Sequence, residues 1–185
     1  MSAKKRFRPL WVILHWLMAL LVFTTFIIGL TSLTKTTPSS EKHIPLFVHM
    51  ILGITILLIV TARYIMRLLI YKPPRRSSPA QGLTTKKLPL LDQLSVYVHP
   101  LLYFFTALMA VLGLAIAFPA NLFAKVYTQS GGPLPVDFYV FPARGWHGTI
   151  SLVLMVLIGQ HVLVAVFHQF LKGENFLGRM WFTKK

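Results

Sequence analysis

The sequence predicts an all-α membrane protein, a four-transmembrane-helix bundle, and three observations carry that prediction. Of 185 residues, 55% are hydrophobic and only 12% are charged, about half the charge of an ordinary soluble domain. The apolar residues gather into four stretches, each of about 20 residues or more, which is the length that crosses a hydrocarbon core. Between the stretches lie connectors rich in proline, glycine and polar residues, where helices stop.

The first span covers 10–30 and contains no formal charge. The second covers 46–70 and is charged only near its end, at Arg63 and Arg67. The third covers 94–118 and the fourth 146–171, so that 1–185 reads as a single transmembrane domain. The connector after the second span holds four prolines, and the one after the third holds Gly131-Gly132-Pro133.

Nineteen Lys and Arg against four acids give a net charge of +15. In a soluble chain such an excess points to nucleic acid; here its distribution points to membrane orientation and to no nucleic-acid role. Thirteen cations fall on one side: Lys4, Lys5, Arg6 and Arg8, then Lys72, Arg75, Arg76, Lys86 and Lys87, then Lys172, Arg179, Lys184 and Lys185. The other side has Lys35, Lys42, Lys125 and Arg144. The positive-inside rule therefore places both termini in the cytoplasm. The absence of cysteine removes iron–sulfur clusters, thiol catalysis and covalent c-type haem attachment.

Seven histidines stand out in so apolar a chain, because an ionisable side chain inside a span is by default a functional-site hypothesis. His15 lies in the cytoplasmic part of the first span and His49 in the outer part of the second. On the fourth, His147 and His161 are 14 residues apart, which is about 21 Å of helix and a return to within about 40° of one face. His49 is thus level with His147, and His15 with His161. Two imidazoles from facing helices at one depth form the bis-histidine cage of a b-type haem, which leaves no iron position open to oxygen and suits electron transfer. A small residue follows each ligand by one turn: Ala19, Gly53, Ser151 and Ala165. A flat macrocycle lying along a helix needs such a gap.

A lone intramembrane histidine serves equally well as a hydrogen-bonding link between helices; two level pairs favour haem. A non-haem metal site lacks the carboxylates it would need, since Asp92 and Glu174 lie at or beyond span ends. His43, His99 and His168 read as propionate, quinone or structural partners, with His168 the alternative to His161 as inner ligand. Arg63 and Arg67 follow His49 by 14 and 18 residues and return to its face near the cytoplasmic end. They have two readings, as partners of haem propionates or as side chains snorkelling to the interface. Arg144 has the same two readings on the outer side.

Taken in order, Leu14-His15-Trp16, Val48-His49-Met50 with Gly53, Gly145-Trp146-His147, Gly159-Gln160-His161 and the tail from Leu171-Lys172-Gly173-Glu174-Asn175 to Arg179-Met180 resemble the bacterial cytochrome b561 family over nearly the whole length. The resemblance implies a multi-pass protein of the bacterial inner membrane with two non-covalent haems b. His15 with His161 and His49 with His147 would be the axial iron ligands, the same pairs that depth-matching gives. It implies electron transfer to the membrane quinone pool with ubiquinone as acceptor, and, in one branch, superoxide as donor at the outer face. On that reading the chain is an oxidoreductase of the respiratory membrane. The alternative from a different class is a haem b anchor that relays electrons for a dehydrogenase or hydrogenase partner subunit. A haem-free transporter is a third reading, weakened by the lack of buried acids.

Overall fold

A computed structural model describes residues 9–33, 37–70, 90–171 and 173. Its frame is four α-helices: α1 (Pro9–Thr31), α2 (His43–Ile70), α3 (Leu90–Ala117) and α4 (Pro142–Phe170). All four contain windows long and apolar enough to cross a membrane. The thirteen cations on which the cytoplasmic placement of the termini rests lie outside the described residues, as do Lys35 and Glu174.

The starts of α2, α3 and α4 precede the expected spans by three or four residues, those of α2 and α4 for local reasons. Helix α4 begins at Pro142, not 146, because proline lacks the N–H that a first helical turn leaves unpaired and its φ is already helical. Arg144 consequently belongs to α4 and not to a connector. Helix α2 begins at His43, after a 3-10 turn at Ser39–Glu41, so His43 too is helical. Pro100 sits inside α3, where it removes one backbone donor, a loss that membrane helices tolerate when packed neighbours compensate.

The helices pack in chain order, α1 on α2, α2 on α3, and α3 on α4. Side-chain contacts establish the up–down sense. His15 near the start of α1 meets His161 in the second half of α4, and Arg63 late in α2 reaches Trp11 near the start of α1. This is the terminal end of the bundle. At the opposite, loop end, His49 near the start of α2 meets His147 near the start of α4.

The outer surface is as apolar as the spans require. Leu20, Leu58, Val156 and Leu163 are each more than 60% exposed, which is costly in water and ordinary in lipid. The tightest apolar cluster caps the loop end: Leu46, Ile116, Ala117, Ala120, Leu122, Val126 and Leu134. It is built around the connector from α3 to α4, which carries a π-helical turn at Ala124–Thr128 that no periodicity in the sequence announced. Gln129 closes this turn in the left-handed region at φ 54°, and its N–H donates to the Ala124 carbonyl. Gly131 folds back so closely that a Cβ there would stand 2.6 Å from Lys125 Cγ, a position only glycine fills without displacement.

Candidate functional site: two histidine levels

Each helix carries a chemically notable residue at each of two levels, 14 positions apart: His15 and Gly29 on α1, His49 and Arg63 on α2, His99 and Gly113 on α3, His147 and His161 on α4. At 1.5 Å per residue the two levels are about 21 Å apart. The loop-end level is therefore two histidines and two glycines. The terminal-end level is three histidines and an arginine.

At the loop end the ring centroids of His49 and His147 are 6.1 Å apart with an interplanar angle of 64°. Each ring lies against a glycine of a neighbouring helix. A Cβ on Gly29 would come within 3.2 Å of His49 Cε1, and one on Gly113 within 3.5 Å of His147 Cε1. The glycines thus let α1 and α3 close on the two imidazoles. Both Nδ1 atoms are buried, and the rings have backbone partners on the neighbouring helices, Thr25 for His49 and Met109 for His147. Beside the rings opens a cavity of about 830 Å³, within the range of roughly 300–1,000 Å³ typical of sites for sizeable organic ligands. Gly53 lines it and has nothing within 4 Å of where its Cβ would be. Ser151 lines it as well, its hydroxyl turned back onto the Gly148 carbonyl at 2.6 Å.

At the terminal end His15 and His161 are also 6.1 Å apart, at 61°. A third imidazole, His99, stands 5.0 Å from His161 and nearly perpendicular to it. Arg63 Nε donates to the Tyr103 hydroxyl at 3.1 Å, and its guanidinium lies 5.9 Å from the Trp11 ring and 5.7 Å from the Tyr103 ring. Arg67 is exposed. His168 is buried beside Phe167; it is His161 that faces His15.

The two pairs share a feature that points to what they hold. His15 and His161 join α1 to α4, and His49 and His147 join α2 to α4, yet neither helix pair is among those packed closely along their backbones. The imidazoles reach across the space between. With metal–imidazole bonds of about 2 Å on either side, an ion held between two facing rings sets their centroids about 6 Å apart, the separation seen at both levels. Among the described residues no cluster of three or more His, Cys, Asp or Glu suited to a bare metal ion occurs. A metal carried in its own macrocycle needs only two axial nitrogens, and the cavity and the open face of Gly53 leave room for one at the loop end. The residues fit a haem there.

Sequence reasoning paired the four histidines and picked out Gly53. It missed Gly29 and Gly113, although their positions 14 residues after His15 and His99 were a signal available in the sequence. It also counted Lys42 only as a loop charge, whereas the side chain is buried. Among comparisons with known proteins, the family model described as prokaryotic cytochrome b561 matches residues 6–183.

Proposed function

The chain belongs to the prokaryotic cytochrome b561 family, whose members are membrane haem b electron-transfer proteins, and from that premise we propose that it binds two haems b and links an electron donor to the membrane quinone pool. His49 with His147 and His15 with His161 serve as the axial ligands. The observation that carries this reading is the repeated 6.1 Å pairing of imidazoles across helices that do not otherwise pack closely.

Haem bound at each pair supplies a one-electron ferric–ferrous couple. The protein's part would be to hold the group through both imidazoles of a pair, so that oxygen would find no open site, with the apolar cap closing over the loop-end level. Two such levels about 21 Å apart span most of a hydrocarbon core roughly 30 Å thick, so electrons can enter at one face and leave at another depth. With both termini in the cytoplasm, the loop end faces outward. Superoxide as the donor is what the family resemblance implies; the described cations Lys42, Lys125 and Arg144 exceed Glu41 and Asp137 by only one, and two of the three line the cavity, so charge by itself does not select it. Quinone is lipid-soluble and reaches the bundle through the bilayer.

The test is kinetic. A superoxide pulse should reduce the purified, oxidised protein within the mixing experiment, and a ubiquinone analogue should then reoxidise it. Inertness to superoxide, together with co-purification of a dehydrogenase subunit, would move the chain to the relay role.

A further inference from the structure

Lys42 is the one formally charged side chain that is fully buried among the described residues, at 4% exposure. It lines the same cavity as His49 and His147. Its backbone is satisfied, the N–H donating to the Ser39 carbonyl and the carbonyl accepting from Leu46, which leaves the side chain to the cavity. The one acid lining the cavity, Asp137, is exposed and accepts from the Tyr139 N–H through one oxygen at 2.8 Å. A cationic side chain with so little exposed surface is best accommodated where an anion can sit beside it.

Position on the helix says what anion belongs there. Lys42 precedes His49 by seven residues, two turns or about 10 Å toward the loop end on the same face. Arg144 precedes His147 by three residues, one turn toward the same end, and also lines the cavity. Its guanidinium stands over the Tyr139 ring at 5.0 Å. Two cations, one just before α2 and one in the first turn of α4, therefore line one cavity, each one or two turns beyond a facing imidazole. A planar metallo-macrocycle held by those imidazoles has its carboxylate side chains on one edge, and the edge toward the loop end would carry them to both cations.

We propose that Lys42 and Arg144 form a carboxylate clamp for the propionates of the group held between His49 and His147, with Lys42 the buried member. The inference rests on the reading that this pair holds a haem. It gives Lys42 a binding role distinct from that of a solvated loop charge, and it fixes the orientation of the macrocycle, propionates toward the loop end.

The test uses purified full-length protein and the variants Lys42→Met, Lys42→Gln and Lys42→Arg, with haem loading checked first by reduced-minus-oxidised spectra. Resonance Raman difference spectra should show the propionate-bending band of the loop-end haem displaced in Lys42→Met and restored in Lys42→Arg. Haem transfer to an apoglobin acceptor should be faster in Lys42→Met by about tenfold or more, the weight of one charge-assisted hydrogen bond, with the terminal-end haem unchanged. If Lys42→Met does not accumulate, Lys42→Gln carries the same readouts, because it keeps a polar tip and removes only the charge. An unmoved propionate band in a loaded, folded variant overturns the clamp. So does slower reduction by superoxide in Lys42→Met with the band unmoved, which would assign the ammonium to a free small anion. Absence of any haem at the His49–His147 pair in wild-type protein overturns the functional reading, and the clamp with it, and is distinguishable because it appears before any Lys42 variant is made.

Discussion

The two ends of the bundle present the same imidazole spacing in opposite surroundings. At the loop end His49 and His147 stand in a cavity under an apolar cap, backed by Gly29 and Gly113, with both Nδ1 atoms buried. At the terminal end His15 and His161 stand beside a third imidazole and an arginine hydrogen-bonded to a tyrosine. The difference teaches that imidazole spacing alone defines a ligand pair, whereas the residues behind it decide how the bound group is treated. Glycines shape the loop-end site by exclusion, letting neighbouring helices press on the rings. At the terminal end, polar side chains take that place.

The largest expected effects come from the ligands, and they split the molecule in two. His49→Ala and His147→Ala should each abolish the loop-end haem signal and leave the other intact. His15→Ala and His161→Ala should do the reverse, as followed by redox titration of the visible bands. If His168→Ala, and not His161→Ala, removes the terminal-end component, the pairing on α4 is wrong.

Glycine substitutions come next and sharpen the comparison, because they act only at the loop end. Gly29→Leu and Gly113→Leu should displace the imidazoles and cost both haem and stability, in the range of about 1–3 kcal/mol seen for overpacking. Gly53→Leu should behave differently. Nothing lies within 4 Å of its Cβ position, so the side chain fills the cavity without straining the helices. Loop-end haem loading should fall while the thermal stability of the haem-free protein holds. Normal loading in Gly53→Leu would show that the cavity next to Gly53 is not used by the macrocycle.

These contrasts also mark what the sequence could convey. The four spans were legible because about 20 apolar residues in a row have few other uses. The ligand pairs were legible because counting residues from a span's end measures depth. Which neighbour each helix face meets was not legible, since helices apolar on nearly all sides carry little amphipathic signal to orient them. That is why Gly29 and Gly113 passed unnoticed and Gly53 was found: the search ran along each ligand's own helix and not across to the next. The π-helical turn at Ala124–Thr128 and the burial of Lys42 both depend on how the third connector folds over the loop end, a tertiary outcome that no local pattern encodes.

At the terminal end the expected effects are smaller and graded. Arg63→Met removes the hydrogen bond to Tyr103 and the contacts with two aromatic rings, and should shift the potential of the terminal-end haem without removing it. Tyr103→Phe loses only the hydrogen bond, worth about 1 kcal/mol. Arg67→Ala, at an exposed position, should change stability by no more than about 0.5 kcal/mol and leave both potentials in place. An Arg67→Ala effect as large as that of Arg63→Met would reinstate both arginines as equal partners of the bound group.

The most direct measurement is the haem-to-protein ratio, determined by pyridine haemochrome assay after acid–acetone extraction, on wild-type protein and on His147→Ala, His161→Ala and the double variant. Two extractable haems b per wild-type chain, one in each single variant and none in the double are the expected result. One haem or none in the wild type, or a wild-type ratio that survives either substitution, would contradict the assignment of the two histidine levels as two haem sites.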